Sequence, residues 1–548
     1  MSTRLRETTT ARPVARPAAR QWLEAAAWAG AGLVLFGFLL RISFSGRIDS
    51  DGANSVLQGW DLVHLHLPLH GWHLGDATFY FFELPLNGIV QLVVGLGDTA
   101  THVASALVYL FVAACAVVLA VTGSHGAARA ARCAVVIAAL AAPLLYTPNV
   151  LLLLEEPDHF GTSLFILVSF LLVDPPTFHR GGSGGSSPPE QTAAPNRRFT
   201  PPLLAVVLCA GQFSDLTVRY VAVPAIVIVC AYRMLADRRL RSADLAIAIA
   251  AVVSVPLDTL LGAIFTHLGG FAVKAPLDKL SSPRLWHQHW LVTWLDIRIL
   301  FGAVRSPHME LGTLGTAFAW VCLLAALAGL VRVAWTWRRA SRAEQLLAVA
   351  IVANVGAYVI SVMPLPYTGS HEVIAILPAG AVLAARALVP ARIRDPLLAF
   401  AAVAATVLIA LVPLGTAAAR PALRPATAPL SAWLAAHRLT YGIGGYWDAS
   451  VVTLQSGGQV RIRAVDLHKK VNKPGWTINI PNWETNALWY NALRHDATFA
   501  IADLHGPYPA TAFQQVFGRP DVTYRVDGWI ILVYRHNLLP HLRPMPPQ

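Results

Sequence analysis

Five carboxylates stand close together early in the chain: Asp49, Asp51, Asp61, Asp76 and Glu83. They follow the first long apolar run, Trp22 to Leu40, and open a polar stretch in a chain that is otherwise mostly apolar. Carboxylates gathered just outside a membrane span are well placed for acid–base work. Asp49 and Asp51, in Ile48-Asp49-Ser50-Asp51-Gly52-Ala53, lead this group. The same two residues also suit the start of a helix from Gly52 to Asp61, where Asp accepts backbone hydrogen bonds and complements the macrodipole. The two roles are compatible.

A second acidic group, Glu155, Glu156 and Asp158 followed by His159, stands at a turn between two apolar runs. Acidic groups beside apolar helices are costly unless they face a polar cavity, which makes them functional candidates, Asp158 foremost. A turn that reaches water removes much of that cost, and Pro157-Asp158 equally suits a helix start. Two cations fall near the same side: Arg219, four residues after Asp215, and His371, followed by Glu372. His64, His66, His70 and His73 match no compact metal-ligand spacing, because residues two apart point to different sides of a helix.

The chain has 548 residues, 55% hydrophobic and 13% charged, with a mean hydropathy of +0.53. A soluble domain carries roughly 25% charged residues, so this is an integral membrane protein. The net charge of +12 does not point to nucleic acid, because the basic residues fall in short clusters between apolar runs. All five cysteines lie in or beside apolar runs, which excludes a disulfide framework in the polar C-terminal region.

Residues 1–20, rich in arginine, read as a disordered cytoplasmic tail, and 21–416 as a multi-span domain. Eleven spans are expected at about 22–41, 100–122, 133–152, 159–174, 201–212, 217–235, 243–263, 311–334, 345–363, 373–390 and 396–415. With the N-terminus inside, every short arginine-bearing loop falls inside, as the positive-inside rule requires. Counting Phe79 to Leu96 as a span would reverse that pattern, so this run, broken by Glu83, Pro85 and Asn87, is expected to lie in the outer interface. Residues 42–99 and 264–310 then form outer loops, and 175–200 a cytoplasmic linker, flexible by composition.

After a linker at 417–430, residues 431–548 read as an extracytoplasmic α/β domain. A helix is expected at Ser431–His437, strands at Thr440–Trp447, Gln459–Val465 and Ala497–Ala502, and a short helix at Asp448–Gln455 capped by Asp448. Val522–Val526 and Trp529–Tyr534 form a hairpin through Asp527-Gly528. Tyr446, Trp447, Trp476, Trp483, Trp489 and Tyr490 suit either sugar stacking or core packing, with packing the simpler reading for a small domain.

The order of these parts resembles the GT-C class of membrane glycosyltransferases, in its branch of protein mannosyltransferases and aminoarabinose transferases. The residues that carry the likeness are Asp51-Gly52-Ala53, where the family commonly has Asp-Glu-Ala; Phe82-Glu83-Leu84-Pro85-Leu86, where it often has Lys-Pro-Pro-Leu; and Leu96-Gly97 before the second span. Gly52 departs from the family's Glu, so Asp49 is the candidate second carboxylate.

The resemblance implies a sugar donor on a polyprenyl phosphate, an envelope glycan, lipid or protein as acceptor, and inverting transfer at the outer face. Asp51 would be the base, with Asp49 and Asp158 in support. Arg219 or His371 would hold the phosphate, with Glu83, Glu155 and Glu156 lining the site. No cofactor is assigned and a divalent metal stays open, although Asp49-Ser50-Asp51 has the Asp-x-Asp form of other glycosyltransferases' metal motifs. The alternatives are a non-catalytic membrane protein presenting its outer domain for binding, and a transporter. The latter is disfavoured because the carboxylates gather at one interface, not at a midplane.

Overall fold

The structure, a computed structural model, describes residues 17–155, 159–176, 199–236, 242–273, 279–365, 369–393, 395–469 and 475–544. Glu156, Asp158, residues 1–16 of the tail and most of the 175–200 linker lie outside them.

Seven of the described helices are long and apolar enough to cross a membrane: Trp22–Ser43, Asp98–Val121, Ala127–Leu145, Thr217–Ala236, Ser242–His267, Thr313–Trp335 and Arg342–Ile360. Shorter apolar helices at Thr162–Val173, Thr200–Ser214, Ile376–Leu388 and Val403–Ala418 coincide with the other four expected spans. One continuous apolar core runs through the bundle, from Leu39 and Tyr109 to Phe301 and Leu414.

Arginines tie many helix ends together on one face. Arg386 donates from Nε to the carbonyl of Leu119 at 3.0 Å and from Nη1 to Ser341 at 2.9 Å. Arg332 pairs with Glu344, Arg342 with Asp244, and Arg233 donates to Gln345. Ser341 and Glu344 form a capping box at the start of Arg342–Ile360. The charges that topology assigns to one side therefore share one face and pair there.

The opposite face carries residues 44–97. The helix Ser50–Val63 is followed by Glu83–Val94, whose Ile89, Leu92 and Val93 are exposed. The two helices cross closely at Gly59 and Gly88. A Cβ on Gly59 would stand 2.8 Å from the Leu84 carbonyl, and one on Gly88 would stand 2.6 Å from the Gly59 carbonyl. Small residues permit this approach. Ala53 and Val56 then pack with Val90, Ala100 and Ala104.

The C-terminal domain holds a five-stranded sheet in the order Arg461–Ala464, Tyr441–Gly444, Phe499–Asp503, Trp529–Val533, Val522–Val526. The first three strands are parallel and the last two form the Asp527-Gly528 hairpin. Apolar clusters cover both faces, one around Phe513 and Leu532, the other around Leu434, Tyr446 and Ile531. One local expectation fails. The helix begins at Tyr446 behind an N-cap Gly445, so Asp448 is not its cap but lies in its first turn and accepts from Trp529 Nε1 at 3.1 Å. The aromatic run Tyr446-Trp447 continues the helix, because Tyr446 is buried against the sheet core.

A second sheet joins segments far apart in sequence: Ala272–Val273, Trp72–Leu74 and Thr485–Asn486. It stitches the C-terminal domain to the loops of the membrane domain.

Replacing Gly59 with Val is expected to force these helices apart and cost about 1–3 kcal/mol, the usual cost of overpacking. Gly30→Ala, where nothing lies within 4 Å, is expected to be neutral or slightly stabilising in a helix interior. Thermal unfolding of the two variants in one detergent checks both.

Candidate active site

The site is built on Ser50–Val63. Asp49 is its N-cap, with Oδ1 accepting from the backbone N–H of Asp51 at 3.0 Å and of Gly52 at 3.1 Å. Its carboxylate is thus committed to the helix start. Asp51, in the first turn and half-buried, accepts the phenolic O–H of Tyr446 from the C-terminal domain. Ser50, Asn54 and Gln58, spaced four apart on one helical stripe, continue the contact. Ser50 donates to the carbonyl of Tyr446, Ser450 to Asn54 at 2.6 Å, and Gln58 to Glu484 at 2.6 Å. Glu484 also accepts from the Gly75 N–H at 2.7 Å.

Gly52 has a steric role. A Cβ there would lie 2.5 Å from the carbonyl oxygen of Glu155. The helix start and the 155 turn touch backbone to side-chain position, so a Glu at 52 has no room.

Glu155 is fully buried and Glu83 nearly so. Both line a small cavity of about 20 Å³ with Gly52, Ser55, Asn87, Phe160 and Gly161, space for one water. Neither carboxylate makes a well-aligned hydrogen bond among the described residues, although Glu155 Oε2 stands 3.1 Å from His102 Nδ1. Burial pushes Glu83 up to about 8, partly offset by its own backbone N–H. Burial, with Asp49 and Asp98 adding repulsion, holds Glu155 well above the usual carboxylate range.

Beyond Glu83 the 159 turn meets two others. His159 Nδ1 is 2.5 Å from Asp215 Oδ2, and Thr162 donates to the same oxygen. Burial alone would raise Asp215, but His159, Thr162 and the Thr217 N–H outweigh it and hold the group at about 2. The ring of His159 stacks on that of His371 at 5.3 Å, with 9° between planes. His371 Nε2 lies 3.4 Å from Glu372 Oε1. Below them Tyr358 donates to the buried Asp296 at 3.1 Å.

The structure therefore brings Glu155 and Glu83 to one cavity lined also by Gly52, the neighbour of Asp51, with His371 beside His159. Arg219 is engaged differently from the ion pair that spacing allows. It meets Asp258 at 2.5 Å and Gln212 at 3.3 Å, while Asp215 takes His159 instead. His64, His66 and His70 make separate contacts, to Trp60, Asp61 and Gly269. Of the C-terminal aromatics, Trp483 stacks on Tyr446 at 4.8 Å, and Trp489 lies over Arg463 at 3.9 Å. They pack, as the simpler reading holds, while Trp447 is exposed.

Sequence reasoning missed Tyr446 as a partner of Asp51, and missed Glu484 and Asp296 altogether. Asp296 had a signal: it is an acid inside an apolar, Trp-rich stretch. Glu484 had only its place in a Trp-rich loop.

Glu484 is pushed up to about 8 by burial, with Asp51 and Asp76 adding repulsion against the Gly75 and Gln58 hydrogen bonds. Raised in the folded state, it binds a proton there that the unfolded chain has released above the usual Glu range. Its contribution to stability is therefore greatest at low pH and is lost as pH rises towards 8. Glu484→Gln is expected to remove this slope, gaining on the wild type by at most about 1.4 kcal/mol per pH unit between pH 5 and 8. Unfolding midpoints of both proteins across that range test it.

No protein-family model matches the sequence, and no curated protein matches it. By structure the chain is similar to ArnT from Cupriavidus metallidurans in the apo state, at 12% identity and a TM-score of 0.54, covering 97% of this chain and 100% of that one. It is similar to the same protein bound to undecaprenyl phosphate, at 12% identity and a TM-score of 0.53, covering 94% and 98%. The chain thus has the GT-C-like fold of this aminoarabinose transferase over nearly its whole length.

Proposed function

We propose that the protein is a membrane glycosyltransferase that moves a sugar from a polyprenyl-phosphate carrier to a hydroxyl of a cell-envelope acceptor. The observation that carries this reading is that Glu155 and Glu83 share one cavity with Gly52, the residue next to Asp51, whose carboxylate accepts from Tyr446 of the C-terminal domain. The solved relative bound to undecaprenyl phosphate supplies the class of donor. With the arginine-bearing face inside, this site and the C-terminal domain are extracytoplasmic.

Asp51 takes the acceptor's hydroxyl proton while that oxygen attacks the anomeric carbon. The bond from that carbon to the phosphate oxygen breaks, and the phosphate leaves with the electron pair, so configuration inverts. Tyr446 fixes the orientation of the base, and Asp49 supports it by capping the helix. Glu83, with its proton held up to about pH 8, can stand near a phosphate without repelling it and can donate to it. His371, beside His159, is our choice for the phosphate. Arg219, already neutralised by Asp258, is second. Asp158 supports the base and Glu156 lines the site, both from their place in the sequence beside Glu155.

A cavity of about 20 Å³ is far below the roughly 300 Å³ at which ligand pockets begin. As it stands, the cavity has space for a water and not for a donor sugar.

Transfer of radiolabelled sugar from membrane polyprenyl-phosphate donors tests the reading. Asp51→Asn is expected to lower transfer by 10²-fold or more, about the scale of a lost general base. Asp49→Asn should stay within a few-fold, because Asn caps a helix about as well as Asp. Equal activity of Asp51→Asn and wild type would remove Asp51 from the mechanism, and no transfer by wild type across several donors would favour a non-catalytic binding protein.

A further inference from the structure

We infer that His159, His371 and Glu372 form a binding site for a divalent transition metal of the zinc class. Among the described residues this is the only trio of His, Cys, Asp or Glu whose ligand atoms all lie within 4.8 Å of one another. Two imidazoles and one carboxylate suit zinc, and three protein ligands leave a fourth position open, as in catalytic zinc sites.

The surroundings match what a metal-binding histidine requires. Asp215 Oδ2 sits 2.5 Å from Nδ1 of His159, which leaves Nε2 as the ligating nitrogen. A carboxylate behind an imidazole fixes its tautomer and raises its basicity. Asp215 is itself held in place by Thr162 and by the N–H of Thr217, at 2.8 Å from its other oxygen.

Ligands on one zinc stand roughly 3.3 Å apart when each bond is about 2.1 Å, so the trio must close somewhat on the ion. The side chain of His371, 29% exposed, is the most accessible of the three.

Resting on the donor reading above, the open coordination position gives the metal a role in holding the donor. The metal would take a phosphate oxygen of the donor and stabilise the charge that the leaving phosphate gains.

The test uses the full chain in detergent, stripped with chelator and titrated with Zn²⁺ alone. One equivalent is expected to bind to the wild type. Asp215→Asn should weaken binding by about 10–100-fold, the scale for a lost carboxylate behind a ligating histidine, and His371→Ala should abolish it. Glu372→Gln, a near-isosteric change, guards against misfolding and should also weaken binding in a protein that stays monodisperse. Absence of stoichiometric zinc in the wild type, or unchanged binding in all three variants, would overturn the site. A short-chain polyprenyl phosphate is then titrated with and without Zn²⁺. Tighter binding with metal supports the phosphate role, and equal affinity removes it. The sugar-transfer assay is independent of both titrations, so a failed metal site and a failed transferase reading are told apart.

Discussion

Tyr446 donates its phenolic proton to Asp51 across the boundary between the membrane domain and the C-terminal domain, and the arrangement of the site depends on that contact. The Ser50, Asn54 and Gln58 stripe extends the same contact down the helix to Ser450 and Glu484. Polar groups buried this way must be paired or pay a desolvation penalty of about 1–3 kcal/mol each. Docking of the two domains is therefore specified by hydrogen bonds at the place where chemistry is proposed, and the small sheet through Trp72–Leu74 holds the register.

The second constraint is steric. Gly52 allows the 155 turn to meet the helix start, and that contact brings the buried Glu155 to the cavity shared with Glu83. The carboxylates around this cavity then differ in character because their surroundings differ. Burial raises Glu83 and Glu155, whereas Asp215, also buried, is held low because His159 and Thr162 satisfy it. Neighbouring acids in opposite protonation states are the condition under which one group can give a proton while another holds a positive partner.

Much of this was legible in the chain. The apolar helices were legible from the length of the apolar runs, which crossing a membrane imposes. Arg332, Arg342 and Arg386 do gather on one face. Reading Phe79 to Leu96 as interfacial kept the short arginine-bearing loops on one side, and Glu83–Val94 packs on Ser50–Val63 with one side exposed. Asp49 as a cap and Asp51 in the first turn were readable from residue type alone. What stayed hidden was pairing at long range. Nothing local links Asp51 to Tyr446, 395 positions later, or aligns His159 with His371. Arg219 shows the limit most clearly. Spacing offered Asp215 four residues away, but tertiary packing supplied Asp258 for the arginine and His159 for the aspartate.

The central claim is that the donor's phosphate and the base meet at the face covered by the C-terminal domain. Cryo-electron microscopy of the full chain in nanodiscs with undecaprenyl phosphate tests it most directly. The account predicts the phosphate within about 4 Å of His371 or His159, a distance that permits direct contact, with a path open to Asp51. Phosphate density at the opposite face, among Arg332, Arg342 and Arg386, would contradict it.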